Sequence, residues 1–186
     1  QGIIGVYGID TRQLTKILRD EGTMTAKISL KASVDKDELL AHKLTGAVSA
    51  VTTDSVVTYE NENAKYTVAL WDFGAKNSTV NQLLAQGCKV LKVPASYTAE
   101  QILALSVDGV VLSDGPGDPT ENTTIIKEIG KLVGKTAIFA IGLGHQMLAI
   151  SFGSEVVKMR YGHRGGQPVK CFANGRVYIS SQNHGF

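Results

Sequence analysis

Two glycine-rich turns in this sequence could carry chemistry, because each directly follows an apolar stretch. The first is Gly142–Gln146, which comes after Thr136–Ile141. A buried strand that enters a sharp turn and leaves as a helix forms a nucleophile elbow, and the free N–H groups at the start of that helix stabilise a developing anion. The apex of such an elbow carries Cys or Ser, but here it is Gly142, which has no side chain. A plain glycine turn between a strand and a helix therefore stays open as the alternative.

The second turn is Ser113–Pro119, which contains two glycines and two prolines. A stiff loop of this kind presents backbone N–H groups after a buried strand. Such groups suit an oxyanion hole or a clamp on the main chain of a substrate. A tight turn without a function is the alternative reading of this motif.

Two later loops, Tyr161–Val169 and Ser181–Phe186, hold amide and imidazole groups between glycines. A histidine in such a loop is more often a structural hydrogen-bonding group than a catalyst. Cys88 and Cys171 form neither a CxxC pair nor a disulfide framework, and neither is predicted to be an activated thiolate.

These turns are positioned by an alternation of strands and helices that begins at Tyr66. The segments Val110–Leu112 and Ala137–Ile141 are apolar on both faces, which is typical of parallel strands covered by helices. The pattern predicts a doubly wound, mostly parallel α/β domain with ligands beyond the carboxyl ends of its strands. The predicted strands are Tyr66–Asp72, Cys88–Val93, Gly109–Ser113 and Thr136–Ile141. The helices between them are predicted to begin after Asn77 or Ser78, after Thr98 and at about Thr120. Three short strands are predicted at Glu155–Met159, Pro168–Phe172 and Arg176–Ser180.

The N-terminal part has a different pattern. Asp10 or Thr11 is predicted to cap a helix that Gly22 ends, Thr23–Leu30 alternates like a strand, and a short helix follows Ser33 or Asp35. The polar stretch over residues 52–65 is predicted to be a linker or surface segment. We therefore expect a smaller N-terminal part over residues 1–62 and an α/β domain over residues 63–186.

Composition excludes several classes of protein. The chain has 186 residues, of which 43% are hydrophobic and 20 are glycine, and its net charge is +2. It has no basic cluster and no apolar run of membrane-spanning length, so we expect neither a nucleic-acid nor a membrane partner, and we expect no opening signal peptide. The cysteine usage favours a reduced, cytoplasmic setting.

In this order and spacing, the segments resemble the small subunit of carbamoyl-phosphate synthase, which carries a class I, triad-type glutamine amidotransferase domain. The resemblance covers nearly the whole chain, and it implies a flavodoxin-like amidotransferase domain preceded by part of a smaller N-terminal domain. The two motifs that separate this family from relatives that make anthranilate or GMP are GHRG and QNHGF. The matching segments are Trp71–Lys76, Leu112–Pro119 (family LS-x-GPGDP), Gly142–Gln146 (family C-L-G-H-Q), Gly162–Val169 (GHRG) and Gln182–Phe186 (QNHGF).

The resemblance implies a set of glutamine-binding residues. The N–H groups of Leu143 and Gly117 are expected to form the oxyanion pair, because a tetrahedral intermediate on an amide needs preorganised donors. The full set of implied glutamine contacts is Gly115, Gly117, Leu143, Gln146, Asn183, Gly185 and Phe186.

The sequence also departs from the family. Gly142 stands where the family has its nucleophilic cysteine, and the family's catalytic His and Glu lie in an H-P-E motif that would follow Phe186. His184 is not that histidine, by its motif. The family usually has an Asn between Gly166 and Gln167, so this sequence is one residue short there. The front half of the family's N-terminal domain is not matched, so we expect a chain truncated at both ends.

The family's small subunit hydrolyses glutamine through a Cys thioester and supplies ammonia to a large subunit. The large subunit uses ATP and magnesium to make carbamoyl phosphate for pyrimidine and arginine biosynthesis. The expected partners are therefore glutamine and that large subunit, with no cofactor or metal in this chain. Because Gly142 replaces the nucleophile, we predict an inactive site. The alternatives are a naturally non-catalytic scaffold or glutamine-binding subunit of an ammonia-dependent synthetase, and an unrelated flavodoxin-like binding domain that acquired all the motifs by chance.

Overall fold

The computed structural model describes residues 2–30 and 34–186 and divides into two compact units. One unit is Leu44–Val156, and the other combines Gln1–Lys43 with Val157–Phe186. The expected domain boundary between residues 62 and 63 stays a prediction. The helices are α1 (Thr11–Glu21), α2 (Lys36–Ala41), α3 (Asn77–Ala85), α4 (Ala99–Ala104), α5 (Thr123–Leu132) and α6 (Leu143–Ser151). The strands are β1 (Val57–Tyr59), β2 (Tyr66–Asp72), β3 (Cys88–Pro94), β4 (Gly109–Leu112), β5 (Ala137–Ala140), β6 (His163–Lys170) and β7 (Val177–His184).

The Leu44–Val156 unit is built on a five-stranded sheet in the order β1-β3-β2-β4-β5. Strands β2 to β5 pair in parallel, and the short β1 pairs antiparallel with β3 at one edge. Parallel neighbours need a crossover between them, and helices α3, α4 and α5 occupy the three crossovers. This arrangement confirms the predicted mostly parallel α/β sheet.

Side chains that alternate along the central strands form a hydrophobic core on each face of the sheet. On one face, Trp71 and Leu112 pack in a cluster with Ile102 of α4, Ile129 of α5 and Met147 of α6. On the opposite face, the intervening strand residues pack against the side chain that α3 buries. Those residues are Leu70, Val90 and Val111, and the α3 side chain is Val80. Successive strand residues point to opposite faces, so apolar residues at consecutive positions, such as Leu70 and Trp71 or Val111 and Leu112, supply both clusters.

Strand β5 corrects one expectation. Ala137–Ile141 was predicted to bury both faces, but Phe139 is 64% exposed. The reason is position, because β5 lies at the edge of the sheet and α3 does not extend over it. Phe139 and Ile141 instead line an apolar groove of about 330 Å³ with Val111 and α3 residues.

Two predicted strands are absent from the described residues. Thr23–Leu30 and Glu155–Met159 have no strand structure. A strand exists only where a neighbour completes its hydrogen-bond ladder. Thr23 N–H donates to Arg160 O (3.0 Å) and Met159 N–H donates to Gly185 O (2.8 Å), which are single bonds rather than ladders.

Several element boundaries also differ from those predicted. Helix α3 is capped by Lys76 without a side-chain bond, rather than by Asn77 or Ser78. A 3-10 turn over Pro119–Glu121 comes before α5, which therefore begins at Thr123 rather than Thr120. The capping box at Thr98 is present as predicted.

The other unit contains α1, α2 and an antiparallel β6–β7 hairpin. The side chain of Asp10 accepts from Gln13 N–H and caps α1, which ends at Gly22, and Asp35 caps α2. Ser33, the other proposed cap, lies outside the described residues. The hairpin strands are longer than the two predicted strands, since each residue from 163 to 170 pairs with one from 184 back to 177. No helix within residues 2–30 and 34–186 has both the length and the apolar character to cross a membrane.

Glu128 generates a pH-dependent prediction. Its carboxylate accepts from Lys131 Nζ (2.6 Å) and from Ala99 N–H (2.9 Å), and so it links α5 to the start of α4. The hydrogen bond from Lys131, followed by that from Ala99, lowers the pKa of Glu128 below its ordinary value of 4.5. A lowered pKa in the folded state adds stability above the unfolded pKa, and that stability is lost as the pH falls through the folded pKa.

We expect Glu128→Gln to lower the melting temperature at neutral pH, and this deficit should shrink as the pH falls below 4.5. Thermal unfolding of both proteins between pH 7 and the acid limit measures it. Glu62→Gln, at an exposed position before β2, is the matched control. A deficit that stays constant across this range contradicts the prediction.

Candidate active site

The carboxyl ends of β2, β4 and β5 lie side by side, and the three turns that follow them form the candidate site. Ser113 connects these turns. Its buried hydroxyl accepts from Phe73 N–H (2.8 Å) and donates to Asp114 O (2.7 Å). Its carbonyl accepts from Gly144 N–H (3.0 Å). The turn after β4 is therefore held on both sides by hydrogen bonds to its neighbours.

Asp72, at the end of β2, is fully buried, and both oxygens of its carboxylate interact with other groups of the protein. Oδ1 accepts from the N–H groups of Gly74 (3.0 Å) and Ala75 (2.7 Å). Oδ2 accepts from Thr53 N–H (2.8 Å) and pairs with Lys92 Nζ (3.1 Å). A buried charge is tolerated only when it is paired and hydrogen-bonded. The carboxylate therefore fixes the turn after β2, and it attaches both β3 and the segment before β1 to that turn.

The turn after β5 has the geometry of an elbow. Gly142 has φ 50° and ψ −114°, a backbone conformation that residues other than glycine rarely adopt. Helix α6 starts at the next residue. Gly144 lets α6 start directly against β4, because a Cβ there would lie 2.7 Å from Leu112 O and from Ser113 O. The predicted strand–turn–helix is confirmed, and glycine at its apex accommodates the positive φ.

Two backbone N–H groups, one from the turn after β4 and one from the turn after β5, converge on one oxygen. Gly115 N–H (2.9 Å) and Leu143 N–H (3.2 Å) both donate to Asp114 Oδ1. Leu143 was expected to form an oxyanion pair with Gly117, but the structure places Gly115 beside Leu143 on the shared acceptor. Two preorganised donors aimed at one anionic oxygen are the arrangement that an oxyanion hole requires.

Sequence reasoning did not identify Asp114 as a site residue. A Cβ built on Gly142 would overlap Asp114 Oδ1 and would lie 2.7 Å from Asp114 Cγ. The carboxylate therefore occupies the space into which a side chain at the elbow apex would project. The available signal was small: Asp114 is the variable residue of the LS-x-GPGDP pattern, and it is a carboxylate next to a glycine.

The loop glycines also have a packing role. A Cβ on Gly115 would overlap Phe73 O and would lie 2.9 Å from Leu143 Cδ2. Gly117 has φ 94°, and a Cβ there would lie 2.9 Å from Ala47 Cβ. Close packing therefore requires glycine at both positions whether or not they contact a substrate.

The eight predicted site positions fall in both compact units. Five of them lie in the Leu44–Val156 unit, where the turns after β4 and β5 bring most of them together and Gln146 follows within the first turn of α6. Three lie in the other unit, at or just after the end of β7. The first group is Gly115, Gly117, Gly142, Leu143 and Gln146, and the second is Asn183, Gly185 and Phe186.

The histidines of the two later loops bond to each other. His163 and His184 are partners across the hairpin, with Nδ1 of His163 3.1 Å from Nε2 of His184. His184 Nδ1 also lies 2.6 Å from Phe186 O. These contacts give His184 a structural role at the end of β7. Within the described part of the chain, no group of three or more His, Cys, Asp or Glu residues is placed to hold a metal ion.

Comparison with known proteins identifies relatives of this chain. A family model described as glutamine amidotransferase class-I matches residues 69–186. The chain is 45% identical over 188 residues to the carbamoyl phosphate synthase small chain of Clostridium perfringens, covering 99% of this chain and 53% of that protein. The small chain of Chlorobaculum tepidum is 41% identical over 195 residues, covering 100% of this chain and 53% of that protein. That of Methanococcus maripaludis is 39% identical over 196 residues, with 99% and 54% covered. The chain thus spans about half the length of the curated relatives it matches.

Removal of the Asp72 carboxylate tests its structural role. Asp72→Ala leaves the Lys92 amine and three N–H groups without their acceptor, so we expect a loss of about 3–5 kcal/mol in the free energy of unfolding. Urea unfolding of the purified chain measures it. Asp54→Ala, at an exposed position in the adjoining segment, should change stability by less than about 0.5 kcal/mol. Similar losses in the two variants would show that the buried network is not the cause.

A pair of helix glycines tests the approach of α6 to β4. Gly144→Ala would press a methyl group onto two carbonyl oxygens, so we expect it to destabilise the fold by about 1–3 kcal/mol. Gly130→Ala on α5 has only Ser151 Cβ at 4.0 Å, and it should be neutral or stabilising by up to about 1 kcal/mol because alanine favours the helix. Chemical denaturation of both variants decides the matter, and equal effects would refute the close approach.

Proposed function

The chain belongs to the class-I glutamine amidotransferase family, and we propose that it is part of the glutaminase subunit of a carbamoyl-phosphate synthase. The observation that carries this proposal is the elbow at Gly142, whose following N–H converges with that of Gly115 on one anionic oxygen. Similarity to small chains over 99% or more of this chain supports the assignment to this subunit within the amidotransferase class.

The proposed reaction follows from the resemblance. In the family's reaction, a cysteine thiolate adds to the γ-amide carbon of glutamine, and the amide nitrogen takes up a proton and leaves as ammonia. Water then cleaves the resulting thioester to give glutamate and the free thiol. In this chain, the Gly115 and Leu143 N–H groups would stabilise the negative oxygen of the tetrahedral intermediate. Gly117 and Gln146 are proposed to hold glutamine.

The other proposed glutamine contacts are assigned by their motif alone: Asn183, Gly185 and Phe186. The ammonia would serve a large subunit that uses ATP and magnesium, in pyrimidine and arginine biosynthesis. We place this subunit in the cytoplasm, since Cys88 and Cys171 are both free thiols.

We propose that the glutaminase site of this chain is inactive. Gly142 supplies no nucleophile, and loss of a triad nucleophile costs about 10⁶-fold in rate. An oxyanion hole with substrate binding alone retains only about 10³- to 10⁴-fold over water. The position of Asp114 favours a second candidate within the same family, a non-catalytic scaffold for an ammonia-dependent synthetase, because a carboxylate fills the space that an attacking group would need.

The full-length protein and a carbamoyl-phosphate synthase large chain from the same source provide the test. We expect the two to co-elute in gel filtration and to make carbamoyl phosphate from ammonium chloride and ATP. Glutamine should not replace ammonium chloride, because the elbow has no nucleophile. Failure to form a complex would refute the subunit assignment. Glutamine-dependent synthesis would refute only the proposed inactivity.

A further inference from the structure

The Asp114 carboxylate lies where the proposed reaction would develop its negative charge. An ionised carboxylate oxygen and a tetrahedral oxyanion are the same kind of acceptor, and both are stabilised by backbone N–H donors at the start of a helix. Asp114 Oδ1 already accepts from Gly115 and Leu143, at 2.9 and 3.2 Å. The carbonyl oxygen of an incoming amide is neutral and therefore a weaker competitor for the same two donors.

The same oxygen excludes a side chain at the elbow apex. A Cβ at position 142 would overlap Asp114 Oδ1 and would lie 2.7 Å from its Cγ. A side chain at position 142 and the Asp114 carboxylate therefore compete for the same space, and the carboxylate is held there by its two N–H donors. A thiolate introduced there would also face a carboxylate in direct contact, and two like charges in contact disfavour ionisation of the thiol.

Building on the proposed function, we propose that Asp114 is a blocking residue: its carboxylate occupies the oxyanion donors and the nucleophile space, so the site is closed independently of the missing thiol. Positions 114 and 142 are then a coupled pair. Restoration of a cysteine at the apex does not reopen the site unless the carboxylate is removed as well.

The experiment uses full-length protein bound to the large chain, in a Cys171→Ser background that removes the other partly exposed thiol. The variants are Gly142→Cys, Gly142→Cys with Asp114→Ala, and Gly142→Cys with Asp114→Asn. The control is Gly142→Cys with Asp118→Asn, which changes a carboxylate of the same loop whose Oδ1 accepts from Thr120 rather than from the two site donors. The rate of iodoacetamide alkylation of the introduced thiol is followed by mass spectrometry as a function of pH, and ammonia release from glutamine is measured in parallel.

If Asp114 blocks the site, Gly142→Cys and the Asp118 control are alkylated slowly. Asp114→Ala then raises the rate by about 10²- to 10⁴-fold, as expected when two charge-assisted hydrogen bonds no longer have to be broken. Asp114→Asn keeps the size of the side chain and removes its charge. It should therefore move the pH midpoint of alkylation downwards, which a purely structural role of Asp114 would not do.

Equal alkylation rates and pH profiles with and without Asp114 would overturn the proposal. A Gly142→Cys single variant that releases ammonia as fast as its Asp114→Ala derivative would do the same. If removal of Asp114 raises the alkylation rate but no variant releases ammonia, the result supports the blocking role and counts against glutaminase function. The experiment therefore distinguishes failure of the blocking proposal from failure of the proposed function. Circular dichroism of each variant verifies folding before the rates are compared. If the Asp114→Ala variant does not fold, the comparison is made with the Asp114→Asn variant instead.

Discussion

Asp72 has no exposure to solvent, yet its carboxylate holds three backbone N–H groups and the Lys92 amine within 3.1 Å. The other features of the site depend on this anchor. Thr52 extends it, because its hydroxyl donates to Asp72 O (2.7 Å) and accepts from Ala95 N–H (2.8 Å). Loss of one partner would leave buried groups unsatisfied, which is why a network of this kind fixes one arrangement of the strand ends.

The fixed turn after β2 constrains the turn after β4, and this in turn constrains the elbow. Gly115 passes so close to Phe73 O that no Cβ fits between them, and Leu143 Cδ2 lies on the other side. The Gly144 N–H completes the contact by donating to the backbone carbonyl oxygen of Ser113. The two N–H donors therefore converge because the loops have no freedom to separate, and this preorganisation is what an oxyanion hole needs.

The same rigidity gives Asp114 its importance. A side chain that points into a rigid pair of donors is held by them, and a residue at position 142 has no space unless that side chain rotates away. The site thus combines an intact elbow with an occupied anion position. In this combination the chain keeps the backbone architecture of an amidotransferase, while the apex residue, Gly142, has no side chain.

Features that depend on neighbours along the chain could be predicted from residue types and their spacing. Apolar runs between glycines gave β2, β3 and β4 with little error, and the capping box at Thr98 and the elbow at Gly142 are local patterns of residue type. The family match covers residues 69–186, a range that contains both of these local patterns.

Features that depend on residues distant in the sequence could be seen only in the folded structure. Phe139 is exposed because β5 is an edge strand, and Thr23–Leu30 alternates without a ladder partner, although neither fact is written in the local pattern. Asp114 acquires its role from Leu143, which lies 29 positions away and is brought near by parallel pairing of β4 with β5. Sequence periodicity reports which face of an element is apolar, but contacts between loops are set by the packing of whole elements, and that packing placed a carboxylate on the donors of the site.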